Sequence, residues 1–277
     1  MRPDTLGVIG LGAIGGSVAW QARSAGIGVL GWSPQPAERV RAVQLGALDD
    51  APARPEDVAR RADLLVLAAP PHANEELLAR LAPALGDSSL VTDVATVKCG
   101  IAKRAEQLGL GPRFAGSHPF VTTRGRGFEA ARSDLFVQAL VYVCPTGDAV
   151  TAAREVVHFW ESVLGATTVV IDPRRHDVQA AWTCHLPPVI AAALCIALDG
   201  QLHPGASVGE SMRDLTRAAA DPSEGAAALL ANADNIVAAL DAFAGELLEW
   251  RSLLARNDRD VSRRLDQAAA WRQRVGA

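Results

Sequence analysis

The chain of 277 residues is long enough for a large core and for two domains. Its 49% hydrophobic and 21% charged residues describe an ordinary globular protein. The net charge of -4 gives no sign of a nucleic-acid surface, so an anionic ligand must find local arginines. Four cysteines without a CxxC pair support neither a metal site nor a disulfide framework and suit a reducing cytosol. The N-terminus lacks the basic region, apolar run and cleavage site of an export signal, and the expected location is cytoplasmic.

Thr5 to Ser17 reads TLGVIGLGAIGGS: an apolar strand runs into Gly10, Gly12 and Gly15, and a helix-permissive segment from Ala13 to Ala25 follows. In that context GxGxxG has physical meaning. Gly10 suits the tight turn, Gly12 admits a pyrophosphate, and Gly15 lets the helix lie close to the strand. The first helical amides, at Ala13 and Ile14, then face the phosphates of a dinucleotide.

Gly28 to Trp32 reads as the second strand and Ser33 to Gly46 as a helix. An acid at this strand end normally bonds the adenosine ribose of NAD. Here stand Trp32 and Ser33, with Glu38 at least one turn into the helix beside Arg39 and Arg41. Without that carboxylate a 2'-phosphate meets no repulsion and Ser33 is placed to receive it, which favours NADP over NAD. Residues 63–70 form a near-continuous apolar strand, as in a sheet covered on both faces. Residues 74–85 form a helix and 89–94 a strand ending at Asp93, followed by Thr96, Lys98 and a helix to Leu108. A further strand ends at Ser117, His118 and Pro119; residues 120–137 are irregular; strands at 139–144 and 167–171 flank a helix over 150–164.

Strands alternating with helices predict a doubly wound, mostly parallel α/β sheet over residues 1–172. Its strand ends bring Asp93, Thr96 and His118 toward one crevice. Residues 173–277 read as all helical, at about 175–199, 207–219, 224–255 and 258–273, with a turn over 200–205. Residues 178–198 carry no Asp, Glu, Lys or Arg, but His185, Pro187 and Pro188 interrupt them. The expectation is a buried helix at a dimer interface, with no membrane span.

VIGLGAIGGS at 8–17, VTDVATVK at 91–98, GSHPF at 116–120, HDVQAAWTCHLPP at 176–188 and ESMRDLTRAAADP at 210–222 occur in one order over nearly the whole chain. In these motifs the sequence resembles the prephenate/arogenate dehydrogenase family of tyrosine biosynthesis. The resemblance implies a Rossmann-like domain, a helical dimerisation domain, and oxidation of a ring carbinol by NAD or NADP with loss of the ring carboxylate. It makes His118 the proton acceptor, with Thr96 supporting it or the substrate hydroxyl, and Arg213 a carboxylate anchor. Ser117 and His185 join the substrate pocket, Asp93 the cofactor site, while His176 and Asp177 brace the domain junction; Lys98, at a helix start, is a lesser candidate than Thr96 and reads alternatively as a surface cation. No metal, nucleic acid or membrane partner is expected, and the assembly is a homodimer.

Arg124 stands where relatives often have a carboxylate, which favours prephenate over arogenate because a guanidinium repels the ammonium of the latter. The changed residues after Pro119, at Met212 and after Pro222 leave room for an amino-substituted prephenate. A β-hydroxyacid dehydrogenase would need a lysine in the second region, and none follows Lys103.

Overall fold

Short apolar runs with both faces covered make the central strands. In the computed structural model β1 (Thr5–Ile9), β2 (Gly28–Trp32), β3 (Leu64–Leu67) and β4 (Leu90–Asp93) pair in parallel in the order β2-β1-β3-β4. Along β3, Leu64 and Val66 enter one hydrophobic cluster while Leu65 and Leu67 enter the other. Such two-sided burial is what a parallel sheet flanked by helices requires. The structure describes residues 3–123, 125–203, 207–220 and 225–275. Arg124, Gly205, Asp221 and Pro222, on which expectations were placed, lie outside the described residues.

Helices α1 (Ala13–Ser24), α2 (Pro36–Gln44), α3 (Pro55–Arg61), α4 (Pro71–Leu81) and α5 (Cys99–Gln107) alternate with these strands. The helix expected from Ser33 starts only at Pro36, because Ser33 remains buried at the end of β2 while the proline takes the first helical position. Sequence reading passed over α3, although it opens on a proline, carries Glu56 and Asp57 in its first turn and ends on Arg60 and Arg61. A second sheet of β5 (Ala115–Pro119), β6 (Leu140–Pro145) and β7 (Thr167–Val170) joins the first through the Val91 to Phe114 bridge. Within it β5 and β6 are antiparallel, which sets His118 directly opposite Tyr142. Helix α6 (Val150–His158) widens into a π-helical turn over Phe159–Val163 that seats Trp160 in the core.

Beyond Val170 every described element is helical: α7 (Pro173–Ala180), a π-helical turn at Ala181–His185, α8 (Leu186–Asp199), α9 (Glu210–Ala220), α10 (Gly225–Ala231), α11 (Ala233–Ala255) and α12 (Asp260–Val275). The fold is thus an N-terminal Rossmann-like domain with a C-terminal all-helical domain. Residues 1–232 make one compact unit, in which α9 packs on α8 and α10 on α4; residues 233–277 make a second, where Arg264 of α12 pairs with Glu246 of α11 at 2.5 Å. The single helix expected over 224–255 is broken at Asn232, whose side-chain Nδ2 donates to the Asp177 carbonyl at 2.8 Å. Among the described residues one helix, Pro173–Asp199, is by length and composition long and apolar enough to cross a membrane. Its first half carries site residues, and its second half leaves Ile196 exposed.

Candidate active site

The strand-to-helix turn after β1 explains its three glycines differently. Gly10 has φ +104°, and a Cβ there would lie 2.6 Å from the Ala68 carbonyl oxygen; a Cβ on Gly15 would lie 1.9 Å from the Gly10 carbonyl oxygen. Those two are demanded by the protein's own backbone. A Cβ on Gly12 would meet nothing within 4 Å. The open side of Gly12, at the start of α1 beside Ala13 and Ile14, therefore fits the approach of a ligand phosphate.

At the end of β2 the geometry changes what the sequence suggested. Ser33, expected to receive a 2'-phosphate, is 2% exposed and donates its hydroxyl to Glu38 Oε2 at 2.5 Å. A carboxylate is present there after all, delivered from α2.

Asp93, Lys98 and Ser117 also differ from expectation. Lys98 is fully buried, its ammonium donating to Asp93 Oδ2 at 2.5 Å and to the Ser117 carbonyl at 2.7 Å. The assignments of Lys98 to the surface and Asp93 to cofactor contact are corrected: the two form an internal ion pair. Burial pushes the Asp93 carboxyl up while Lys98 and the Ala95 amide pull it back, and Asp93 Oδ1 has no hydrogen-bond partner among the described residues. Gly116 makes room for this pair, since a Cβ there would sit 2.9 Å from Asp93 Oδ1. The substrate contact expected of Ser117 is likewise corrected. Side chains alternate along a strand, and its hydroxyl turns into the core, bonded to Thr92 at 2.7 Å and to Trp160 Nε1 at 2.8 Å.

One residue further, His118 takes the opposite face. It is 4% exposed, with Phe120 ring to ring at 4.6 Å and His176 edge-on at 5.1 Å. Tyr142 packs against both of those neighbours. His118 Nδ1 is 2.9 Å from His176 Nε2, and His176 Nδ1 is 2.8 Å from Asp177 Oδ1. Asp177 in turn accepts from the Lys98 and Cys99 amides at 2.8 Å each, capping α5 from α7. Burial alone would raise the Asp177 carboxyl, but the hydrogen bonds from His176 and these amides hold it below its usual range.

This chain assigns the tautomers. An ionised carboxylate only accepts, so the proton of His176 resides on Nδ1, its Nε2 accepts from His118 Nδ1–H, and His118 Nε2 keeps a lone pair. Burial holds the His118 imidazole well below its ordinary value, and the neighbouring His176, Lys98 and His185 act in the same direction. The group is therefore neutral and proton-accepting near pH 7.

Thr96 pairs with His185 rather than with His118, Nε2 to Oγ1 at 3.4 Å. His185 is fully buried in the π-helical turn, with Asn232 Nδ2 3.1 Å from its Nδ1, and burial lowers its imidazole. Arg213 is exposed on α9, and the neighbouring Asp214 is bonded to Arg217. The residues that sequence reasoning missed are Phe120 and Tyr142, together with the direct contact of His176 on His118. The signal for Tyr142 was its place opposite His118, which required the β5 to β6 register.

A glycine turn of the dinucleotide-binding type between β1 and α1, together with a buried neutral imidazole whose tautomer is fixed, fits a nicotinamide-dependent dehydrogenase. The family described as prephenate dehydrogenase, nucleotide-binding domain, matches residues 18–170, and its dimerization domain matches residues 172–267. The chain belongs to the prephenate dehydrogenase family. It is 30% identical over 269 residues to a cyclohexadienyl dehydrogenase of Zymomonas mobilis, covering 92% of this chain and 90% of the relative. Among solved structures it is similar to Synechocystis arogenate dehydrogenase, with TM-score 0.85 and 29% identity over 98% of this chain and 99% of that one. It is also similar to prephenate dehydrogenase from A. aeolicus in complex with hydroxyphenyl propionate and NAD+, with TM-score 0.89 and 26% identity over 98% of each chain.

Proposed function

We propose that this enzyme converts prephenate to 4-hydroxyphenylpyruvate and carbon dioxide with NAD(P)+ as oxidant. The observation that carries the reading is the open Nε2 of His118, backed by His176 and Asp177 and walled by Phe120. When bound, the nicotinamide accepts the hydride from the carbinol carbon; Gly12 and the first amides of α1 are the groups that would hold its pyrophosphate. His118 Nε2 takes the carbinol proton as the carbon–oxygen double bond forms. The ring carboxylate then leaves as carbon dioxide, its bonding electrons aromatise the ring, and His118 returns the proton to the phenolate oxygen. His176 and Asp177 hold the imidazole in its accepting tautomer throughout.

Thr96 and His185 line the pocket side of the same junction and orient the substrate hydroxyl. Arg213 anchors a substrate carboxylate, for which a planar, exposed guanidinium is suited. The charge of Arg124 favours the keto acid over the amino acid. Arogenate is the second reading, supported by the name of the Synechocystis relative. The helical domain makes the dimer, and the exposed apolar half of α8 belongs in that interface.

The test is a steady-state assay that crosses prephenate and arogenate with NAD+ and NADP+. Turnover of prephenate well above arogenate is expected. Absence of turnover with all four pairs would remove the assignment, and a preference for arogenate would establish the second reading. Arg213→Ala should raise the prephenate KM by about tenfold, the loss of roughly 1.4 kcal/mol, with cofactor affinity unchanged.

A further inference from the structure

Cofactor choice in this fold is made beyond the end of β2, where the adenosine ribose lies. The sequence puts Ser33 there, and the structure fills the gap from the next helix. Glu38, the third residue of α2, folds back so that Oε2 accepts from the Ser33 hydroxyl at 2.5 Å. Ser33 Oγ also accepts from the Gln35 amide at 3.2 Å, so its hydroxyl is engaged as both donor and acceptor.

The two nearby cations are committed as well. Arg39 donates from Nη1 to the Ser33 carbonyl at 3.0 Å, and Arg41 pairs with Glu129 at 2.9 Å. The other carboxylate oxygen, Glu38 Oε1, has no hydrogen-bond partner among the described residues. It lies beside Gly127, where a Cβ would come 3.5 Å from it. The strand end thus presents an acceptor oxygen and a negative charge.

We propose that Glu38, acting from α2 in place of a strand-end acid, selects NAD over NADP. Its free oxygen accepts from ribose hydroxyls, and its charge repels a 2'-phosphate in a place where Ser33 and Arg39 are already engaged. The inference rests on the reading of the Gly12 crevice as a dinucleotide site. It reverses the preference for NADP drawn from the sequence, because that preference assumed no carboxylate at this position.

Equilibrium dissociation constants for NADH and NADPH, measured by calorimetry without substrate on wild type and Glu38→Gln, test it. Glu38 is only partly buried, on the surface of α2, and glutamine retains its size. Wild type should bind NADH at least about tenfold tighter than NADPH, and E38Q should narrow that ratio by about tenfold, mainly by gaining affinity for NADPH. A wild type that prefers NADPH, or an E38Q ratio equal to wild type, overturns the role of Glu38 while leaving a dinucleotide site intact. Binding of neither cofactor overturns the dinucleotide reading and the role of Glu38 with it.

Discussion

Two buried polar networks meet on β5 and differ in where they end. Lys98, Asp93 and the Ser117 carbonyl form an ion pair whose charges cancel inside the protein. Asp177, His176 and His118 form a chain of similar burial that ends on an imidazole nitrogen with no partner among the described residues. The first network holds the ends of β4 and β5 to the start of α5. The second uses a carboxylate that caps α5 to fix a proton two residues away from where it is needed. Burial of charge is therefore a poor sign of chemistry by itself; a buried network with one open lone pair is the better one.

Removing the cation of the closed network should have the largest effect. Lys98→Ala leaves the Asp93 carboxylate buried without a counter-charge and should cost about 3–5 kcal/mol of stability, read as a lower urea midpoint. A variant as stable as wild type would show that the pair is not what holds these elements together. His118→Asn strikes the open network at its end. It should lower turnover by about 100-fold or more while unfolding like wild type and binding cofactor normally; near-normal turnover would remove His118 as the proton acceptor.

Asp177→Asn tests whether the chain behind His118 acts through it. Turnover should fall by about tenfold, and the loss should vanish when His118 is already Asn, since coupled residues are not additive. Equal losses in both backgrounds would make Asp177 merely a cap for α5. The smallest effect is in stability against pH. Burial lowers the folded-state imidazoles of His118 and His185, so the unfolded chain binds more protons below about pH 6.5. Stability is then fully present above that pH and declines as the pH falls, by up to about 1.4 kcal/mol per pH unit for each histidine. Urea unfolding at a series of pH values should show a shallower decline in H118N; identical slopes would mean that His118 is not held neutral.

Much of the fold was legible because it is written in local patterns. Apolar runs such as LLVL, the GxGxxG turn and the proline-led helices need only neighbouring residues to be read. His118 stood out in the sequence because it ends a strand facing the expected cofactor crevice and lies in GSHPF, the motif that resembles the family's. Lys98 did not, because a lysine at a helix start looks the same whether it faces water or a carboxylate buried five residues earlier. Glu38 was misread for a related reason: its distance along the chain hid the fact that a helix start can return its side chain to Ser33.

The sequence by itself determined the family, the alternation of strands and helices, and the residue types that the chemistry requires. Only the tertiary structure decided which of those residues touch. His176 lies 58 residues from His118 and Asp177 79 residues from Lys98, and the contacts exist because α7 docks on the start of α5 beside β5. Hydrogen bonds act over about 3 Å, so no spacing along the chain can state them. The proton position on His118, on which the proposed reaction depends, is fixed by that docking.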